Sequence, residues 1–226
     1  MKEHSKRYLE TAKLVDKEKV YQLKEAIAAL KKLSPVKFDG SVDLHFNLSV
    51  DSKKSDQMVR GTVLLPHGTG KKVRVAVFCK GEHERAAKEA NADLVGGSEL
   101  IDKVAAGFLD FDVAIATPEM MKDLSKLGKV LGPRGLMPSP KTGTVTNDIV
   151  RAIEDVKRGK VEFRVDKQGG MHLSVGKITF SEDKIYDNAT RVIESVNDAK
   201  PASVKGKFVK TLSISSTMNP GLRLAI

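Results

Sequence analysis

Two glycine-rich, basic segments are the first candidates for chemistry in this chain. "PHGTGKK" spans residues 66–72, and "LGPRGLMPSPKTGTV" spans residues 131–145. Glycines beside lysines are typical of loops that bind nucleotide phosphates, so a Rossmann-type nucleotide-binding enzyme is one hypothesis. A Walker loop, however, needs four residues between its glycines and a hydroxyl directly after the lysine, and neither segment has this pattern. Pro133 also removes an amide donor between Gly132 and Gly135, so the segments argue against such an enzyme.

The histidines and the cysteine give no sign of a metal site or a catalytic nucleophile. The five histidines, at positions 4, 45, 67, 83 and 172, lack the spacing of a zinc site. No G-x-S-x-G segment marks an esterase-type serine. The single Cys79 lies in an apolar stretch and is predicted to be a core thiol in a reducing cytoplasm. The sequence therefore predicts no enzyme activity, no metal and no cofactor.

The charge is unevenly distributed along the chain and points to a polyanionic partner. The 226 residues carry 39 basic and 29 acidic side chains, a net charge of +10. Residues 71–157 hold 14 basic and 13 acidic side chains, whereas the two flanking segments together hold 25 and 16. This concentration favours a nucleic-acid partner for the flanking segments, with ordinary solubility charge as the alternative. No apolar run approaches the ~20 residues of a membrane span, and none follows the first charged residues as in a secretory signal.

The two ends of the chain predict one α+β domain. Apolar spacing predicts helices over 22–33 and 181–196, and strict alternation predicts strands over 41–50, 161–165 and 211–217. Clean alternation is typical of antiparallel strands with one solvent-exposed face, and His45 is expected on that face. The two helices would cover the other face. Residues 1–67 and 160–226 are therefore predicted to form the halves of a split α+β sandwich domain.

The middle of the chain alternates strands and helices. Strands are predicted at 71–81, 92–96 and 111–118, and helices at 83–90, 98–107, 119–128 and 146–159. Ser98, and either Thr146 or Asn147, are expected to cap helices, and Gly128 is expected to end one. This alternation indicates a parallel sheet covered by helices on both faces. The predicted fold class is thus α/β and α+β in two domains, with a Rossmann-like domain inserted over residues 68–159.

The solvent-exposed sheet face of the split domain is the candidate RNA-binding surface. Its hydroxyls suit ribose 2′-OH groups and its basic side chains suit phosphates, although a plain solvated sheet face is the alternative. The residues expected there are Arg60, Thr62, Arg164, Ser213, Ser215 and Thr217, with Lys37, Lys205 and Lys207 at the strand entries. Phe38, between Lys37 and Asp39, is either a core residue, which the sequence favours, or a surface on which bases stack.

Four segments of the chain resemble those of a known family. They are "VKFDGSVDLHFNLSVDSKKSDQMVRGTVLLPHGTGK", "ADLVGGSELIDKVAAGFLDFDVAIATPEMM", "LGKVLGPRGLMPSPKTGTVTNDI" and "ISSTMNPG". Taken in this order, they are similar to segments of the bacterial large-subunit (50S) ribosomal protein L1 family. The resemblance runs over residues 5–224, and two of the matching stretches are too long to arise by chance.

The resemblance implies a function as well as a fold. It implies a structural protein that binds the 23S rRNA stalk next to the exit-site tRNA and moves with that stalk as deacylated tRNA is released. It also implies a translational repressor that binds a similar site on its own operon mRNA. Such a protein is a cytoplasmic part of the large ribosomal subunit, monomeric when free, with no enzyme activity and no membrane contact.

The resemblance further implies which residues contact RNA. By motif they are Lys37, Phe38, Ser41, Asp43, Ser213, Ser215, Thr217 and Met218, with Arg164, Lys167 and His172 as further contacts. Arg134 and Lys141 in the 131–145 loop are expected to meet tRNA phosphates or a carboxylate across the domain cleft. Where the family typically has glycine in a "TMGP" segment, this chain has Asn219. Asparagine tolerates positive φ better than most residues, so the turn is expected to be kept.

Overall fold

The fold mixes α-helices with several β-sheets. A computed structural model describes residues 5–16, 19–33, 36–51, 54–204 and 206–225. The chain divides into two compact units: the split unit, within residues 1–70 and 161–226, and the middle unit, within residues 71–160. None of the helices in the described ranges is long and apolar enough to cross a lipid bilayer.

The described residues form eight α-helices and ten strands, joined by loops and short 3₁₀ turns. The helices are α1 (Lys6–Lys13), α2 (Leu23–Leu33), α3 (Glu82–Glu89), α4 (Ser98–Ala105), α5 (Met121–Leu124), α6 (Gly128–Leu131), α7 (Ile149–Arg158) and α8 (Glu182–Asp198). The strands are β1 (Val20–Tyr21), β2 (Ser41–Leu48), β3 (Arg60–Leu64), β4 (Val75–Phe78), β5 (Leu94–Gly96), β6 (Val113–Ala116), β7 (Lys160–Arg164), β8 (Gly170–Lys177), β9 (Val209–Ser216) and β10 (Leu222–Leu224).

A five-stranded sheet is the centre of the split unit. Its strand order is β1-β10-β9-β2-β8, and β2 pairs antiparallel with both β8 and β9. The alternation predicted over 41–50 is confirmed for β2, in which Val42, Leu44, Phe46 and Leu48 are buried. Helices α2 and α8 cover this apolar face, because each has buried side chains at helical spacing. The opposite face of the sheet carries the polar residues of β2.

A smaller sheet pairs β3 with β7 in the same unit. Its inward side chains include Val63 and Phe163, which belong to the same core as the larger sheet. Gly61 lies directly against the Phe163 ring, where an added Cβ would be 2.6 Å from a ring carbon. The outward residues of this two-stranded sheet therefore lie on a different sheet from those of β2.

The middle unit is a three-stranded parallel sheet with apolar residues on both faces. The strand order is β5-β4-β6. In β4, Ala76 and Phe78 join a core with α4 and the helical segment 118–131, whereas Val75 and Val77 join a second core with α3 and α7. Both sides of the strand are buried, as expected for a parallel sheet covered on both faces.

Three of the predicted helix boundaries in this unit are wrong. Gly128 does not end a helix: it begins α6, because buried Leu131 holds one further turn of helix against the core. Ser98 is the first residue of α4 and not its cap, since Gly97 precedes it without a capping side chain. Asp148, rather than Thr146 or Asn147, caps α7 by accepting a hydrogen bond from the Arg151 amide.

The 131–145 segment is a loop tightened by its own hydroxyl groups. The Ser139 amide donates to Thr144 Oγ1 at 2.8 Å, and Thr142 Oγ1 donates back to the Ser139 carbonyl at 3.0 Å. Gly132 is required by a close approach, because an added Cβ would lie 2.5 Å from the Gly128 carbonyl oxygen. The glycines and prolines of this segment therefore form a compact, kinked connection from α6 to α7.

One buried side chain of α8 makes hydrogen bonds to the backbone of the 66–70 segment. Asn188 is fully buried, and its Nδ2 donates to the carbonyls of Gly68 at 3.0 Å and Val175 at 2.8 Å. Its Oδ1 accepts from the His67 amide at 3.1 Å. Gly68 O thus faces a protein donor, and the glycines of "PHGTGKK" serve backbone geometry in this segment.

Candidate RNA-binding surface

The solvent-facing side of the five-stranded sheet, here called the sheet face, is a continuous polar surface. It is formed by Ser41, Asp43 and His45 of β2, His172, Ser174 and Lys177 of β8, Ser213 and Ser215 of β9, and Arg223 of β10. Asp43 lies directly opposite both Ser174 and Ser215, and His45 lies opposite both His172 and Ser213. The register therefore brings together hydroxyls, imidazoles and charges from four strands.

Two histidines meet at the centre of the sheet face. His45 Nδ1 and His172 Nδ1 are 2.9 Å apart, and His45 Nε2 is 2.7 Å from Ser215 Oγ. Only one proton can lie between the two Nδ1 atoms. One ring therefore donates and the other accepts, and the tautomers of the two rings determine which one donates. Desolvation by burial, followed by repulsion from His172, lowers the pKa of His45 below 6.5, against a smaller attraction from Asp43. At neutral pH the pair presents donors and acceptors and no permanent charge at His45.

One corner of the sheet face is cross-linked by Thr217. Thr217 Oγ1 accepts from the Ser41 amide at 2.9 Å and lies 3.3 Å from the Ser41 carbonyl oxygen. Lys177 Nζ donates to Ser41 Oγ at 3.1 Å and to the Asp39 carbonyl at 3.3 Å. The Thr217 hydroxyl therefore holds the end of β9 against the start of β2. Its geometry supports a structural role besides any contact with RNA.

Two large apolar side chains are exposed beside this corner. Phe38 is 55% exposed and Met218 is 68% exposed, so the expectation of a core position for Phe38 is wrong. A lone aromatic residue in a connection between a helix and a strand has no periodic pattern that would reveal its environment. Met218, and not Asn219, takes the positive φ of the turn, at 70°. The Asn219 side chain therefore does not lie on a residue in the left-handed conformation.

The expected surface does not form as a single face. Arg60, Thr62 and Arg164 lie on the outer side of the two-stranded sheet, apart from Ser213 and Ser215. Arg60 Nε is also 2.7 Å from Glu162 Oε1, so its charge is partly compensated. The alternating patterns predict which side of each strand faces solvent, but they carry no information on which strands pair.

The remaining predicted residues are basic and lie at the margins. Lys37, Lys167 and Lys207 are exposed, and Lys205 lies outside the described residues. Lys167 follows Asp166, whose carboxylate accepts from the amides of Gly170 at 2.7 Å and Gln168 at 2.8 Å. These hydrogen bonds lower the pKa of Asp166 and fix the turn that carries Lys167.

Two basic residues of the sheet face were not predicted from the sequence. Lys177 reaches the face only because a β-bulge shifts the β2–β8 register between Val42 and Asp43. Arg223 belongs to the three-residue strand β10, where it lies opposite Ser213 between two buried leucines. The alternation Leu222-Arg223-Leu224 was the signal for it, but three residues are too few to assign a strand.

The two cations predicted to act in the middle unit lie on its surface. Arg134 and Lys141 are both exposed in the 131–145 loop. The strand after the 66–72 segment begins only at Val75, and the ammonium group of Lys71 lies 2.8 Å from Asp112 Oδ1. Among the residues that the structure describes, no three His, Cys, Asp or Glu side chains are grouped to hold a metal ion.

Comparison with known proteins identifies the family. The sequence model of the Ribosomal protein L1p/L10e family matches residues 30–220. The chain is 56% identical to the large ribosomal subunit protein uL1 of Fervidobacterium nodosum over 225 residues, covering 99% of this chain and 96% of that protein. It is 53% identical to the protein of the same name from Thermosipho melanesiensis, covering 99% and 97%. The chain therefore belongs to the ribosomal protein L1p/L10e family, a family of structural ribosomal proteins and not of enzymes.

Proposed function

We propose that the sheet face of the split unit, with its exposed corner at Phe38 and Met218, binds the 23S rRNA stalk of the large ribosomal subunit. The single observation that carries this proposal is the corner itself, where two exposed apolar side chains adjoin a polar, partly basic sheet. Large apolar side chains exposed together mark interaction sites, and hydroxyls beside cations suit ribose and phosphate. The bacterial relatives named above, which match over nearly their whole length, add support.

The wider functional proposal concerns movement and regulation. We infer that the split unit is an α+β RNA-binding domain, interrupted by a Rossmann-like domain, and that the protein moves with the stalk when deacylated tRNA leaves the exit site. Arg134 and Lys141 are the residues proposed to meet tRNA phosphates. The same sheet face binds the protein's own operon mRNA and represses its translation. The free protein is a monomer in the cytoplasm, where it joins the ribosome.

The test is the salt dependence of binding to a stalk fragment of large-subunit rRNA. Each lysine that neutralises a phosphate contributes about one counterion to the slope of log affinity against log salt. Lys37→Ala should weaken binding and reduce that slope by about one. Lys103→Ala is the matched control, because Lys103 is an exposed lysine on α4 of the middle unit. Its affinity and slope should equal those of the wild type.

Fluorescence anisotropy at two KCl concentrations measures the affinity of each variant for the stalk fragment and its dependence on salt. If the wild type binds the stalk fragment no better than an unrelated RNA duplex of the same length, the proposed function fails. If Lys37→Ala and Lys103→Ala weaken binding equally, the attraction is general charge and the assigned surface is wrong. An mRNA fragment that competes with the rRNA for one site, with the same response to Lys37→Ala, would support the repressor role.

A further inference from the structure

A short turn at the end of β8, residues 177–180, contacts two functionally different parts of the split unit. The Phe180 amide donates to the Lys177 carbonyl at 3.0 Å and closes this turn. Residues 39–41, at the start of β2, make hydrogen bonds to it. Gly70, the last residue of the split unit before the chain enters the middle unit, also lies against it. The turn therefore adjoins both the sheet face and the point where the chain leaves the unit.

Hydrogen bonds join the turn to the start of β2. Lys177 is half-buried, and its Nζ donates to Ser41 Oγ at 3.1 Å and to the Asp39 carbonyl at 3.3 Å. The Ile178 amide donates to the Gly40 carbonyl at 2.9 Å. Residues 39–41 directly follow the exposed aromatic residue of the corner. The position of the Lys177 ammonium group therefore helps to fix this end of the sheet face.

Gly70 lies against the stem of the same lysine. A Cβ added to Gly70 would be 2.9 Å from Cγ of Lys177 and 3.0 Å from a ring carbon of Phe180. Cγ is near the base of the lysine side chain, so the atoms beyond it must move when it moves. Gly70 also has φ 74°, which residues other than glycine rarely adopt. The backbone at Gly70 therefore restricts where the Lys177 side chain can lie.

One buried amide ties the two segments together just before this contact. Asn188 Nδ2 donates to the carbonyls of both Gly68 and Val175, which precede Gly70 and Lys177 by two residues each. These hydrogen bonds hold the two backbones side by side. Gly70 and Lys177 are the first pair beyond the tie, so a displacement of the chain as it leaves the split unit is expected to act on Lys177.

We propose that Lys177 is a positioning residue that couples the backbone at Gly70 to the RNA affinity of the sheet face, with its stem against Gly70 and its ammonium group on Ser41 and Asp39. This inference rests on the proposed function, since it concerns the affinity of that face for RNA. Lys177 acts through residues 39–41 and not by neutralising a phosphate. Because coupling between two sites is reciprocal, bound RNA in turn restricts the backbone at Gly70.

The first experiment removes the ammonium group of Lys177 and keeps its stem. Lys177→Met should bind the stalk fragment about 2- to 30-fold more weakly, the range over which residues between two sites alter their coupling. The slope of log affinity against log salt should stay at the wild-type value, because no phosphate contact is lost. Lys37→Ala, which should reduce that slope by about one, is the comparison. Lys103→Ala remains the control with unchanged affinity.

Two results of this experiment would overturn the proposal. Wild-type affinity of Lys177→Met would show that its hydrogen bonds position nothing that RNA needs. A slope reduced by about one would show that Lys177 meets a phosphate directly.

The second experiment changes the other end of the coupling. Gly70→Ala should weaken RNA binding, although Gly70 is not part of the sheet face, because the added methyl group displaces Lys177. In Lys177→Ala, which lacks Cγ, the same change at Gly70 should cause little further loss. Gly81→Ala is the matched control, since Gly81 has φ 64° and open space at its Cβ position. It carries the same backbone strain and should bind RNA as the wild type does. Additive losses at Gly70 and Lys177 would contradict the coupling.

NMR spectra of the free protein provide a readout that needs no RNA. Gly70→Ala should shift the amide resonances of Gly40 and Ser41, and Gly81→Ala should leave them unchanged. Absence of these shifts, or shifts without any change in RNA affinity, would overturn the role of Lys177 and leave the RNA-binding surface in place. Failure of the wild type to bind the stalk fragment would overturn the proposed function and this inference together. Lys177→Met keeps the proposal testable even if Gly70→Ala does not fold.

Discussion

His45 and His172 are neighbours because of strand pairing, although 127 positions separate them in the chain. The short distance between their Nδ1 atoms requires that at least one ring be neutral. RNA phosphates near His45 would favour its protonated form, since opposite charge raises the pKa of an imidazole. If the sheet face binds RNA as proposed, that binding would favour protonation of His45.

The lowered pKa of His45 predicts how stability depends on pH. Between the folded pKa and the unfolded value of about 6.5, the unfolded chain binds more protons at this residue, so stability falls as the pH falls through that window. In His45→Gln this contribution is absent, and the unfolding free energy should decrease less between pH 7 and pH 5. Urea denaturation at both pH values measures it. His83→Gln, at an exposed histidine of α3, should follow the wild type; an identical pH response of His45→Gln would contradict the assignment.

Residues of the candidate site differ in how far the sequence could predict them. The outward direction of Ser41, Asp43 and His45 follows from a period of two, which is local information. The position of Lys177 depends on a bulge and has no local signal, and the alternation around Arg223 covers only three residues, too few to assign a strand. Phe38 required knowledge of what packs around it, and its exposure became visible only in three dimensions.

Among the elements, α8 has a role beyond covering the sheet. Its apolar residues Ile185, Ala189, Val192 and Val196 follow the predicted helical spacing, and Ser181 caps its first turn. Asn188 interrupts this apolar stripe, and its three hydrogen bonds hold the segment through which the chain leaves the split unit. A buried amide within an apolar stripe is thus a sign that backbone groups of another segment need partners.

Removal of that amide should destabilise the protein substantially. Asn188→Leu leaves the His67 amide and two carbonyls without their partner in a buried position, and should lower the unfolding free energy by about 3 kcal/mol. Asn197→Leu, on an exposed position of the same helix, should change it by less than about 0.5 kcal/mol. Equal effects of the two substitutions in urea denaturation would show that the buried hydrogen bonds contribute nothing.

The elements also show where local patterns stop being informative. The parallel strands of the middle unit were predicted, because apolar runs bounded by glycine and proline need no partner to be recognised. The pairing of β3 with β7 in a separate sheet was not, because both strands alternate in the same way as β2 and β9. Helix ends were misplaced where two capping side chains compete within three residues, as at Thr146 and Asp148.

At the scale of the whole molecule, charge and fold divide the chain at nearly the same places. The segments that flank residues 71–157 carry almost all of the excess positive charge, and they supply the sheet face. The middle unit is close to neutral. If the protein binds RNA as proposed, long-range attraction should act on the split unit, and salt should weaken that attraction without affecting the fold of the middle unit.

The single cysteine lies in the middle unit, and its labelling reports when that unit opens. Cys79 is fully buried, and desolvation raises its thiol pKa to about 11, so the reactive thiolate is scarce at neutral pH. A thiol reagent should modify the native protein far more slowly than free cysteine. Labelling should accelerate with denaturant as the middle unit opens, whether or not the split unit has unfolded, because the split unit contains no thiol.

Mass spectrometry of protein quenched at successive times measures this rate, with Cys79→Ala as the unlabelled control. Modification in native buffer at the rate of free cysteine would contradict the buried position. Alkylation of Cys79 that proceeds only when the middle unit opens would time the opening of that unit alone, without an added dye or a second substitution.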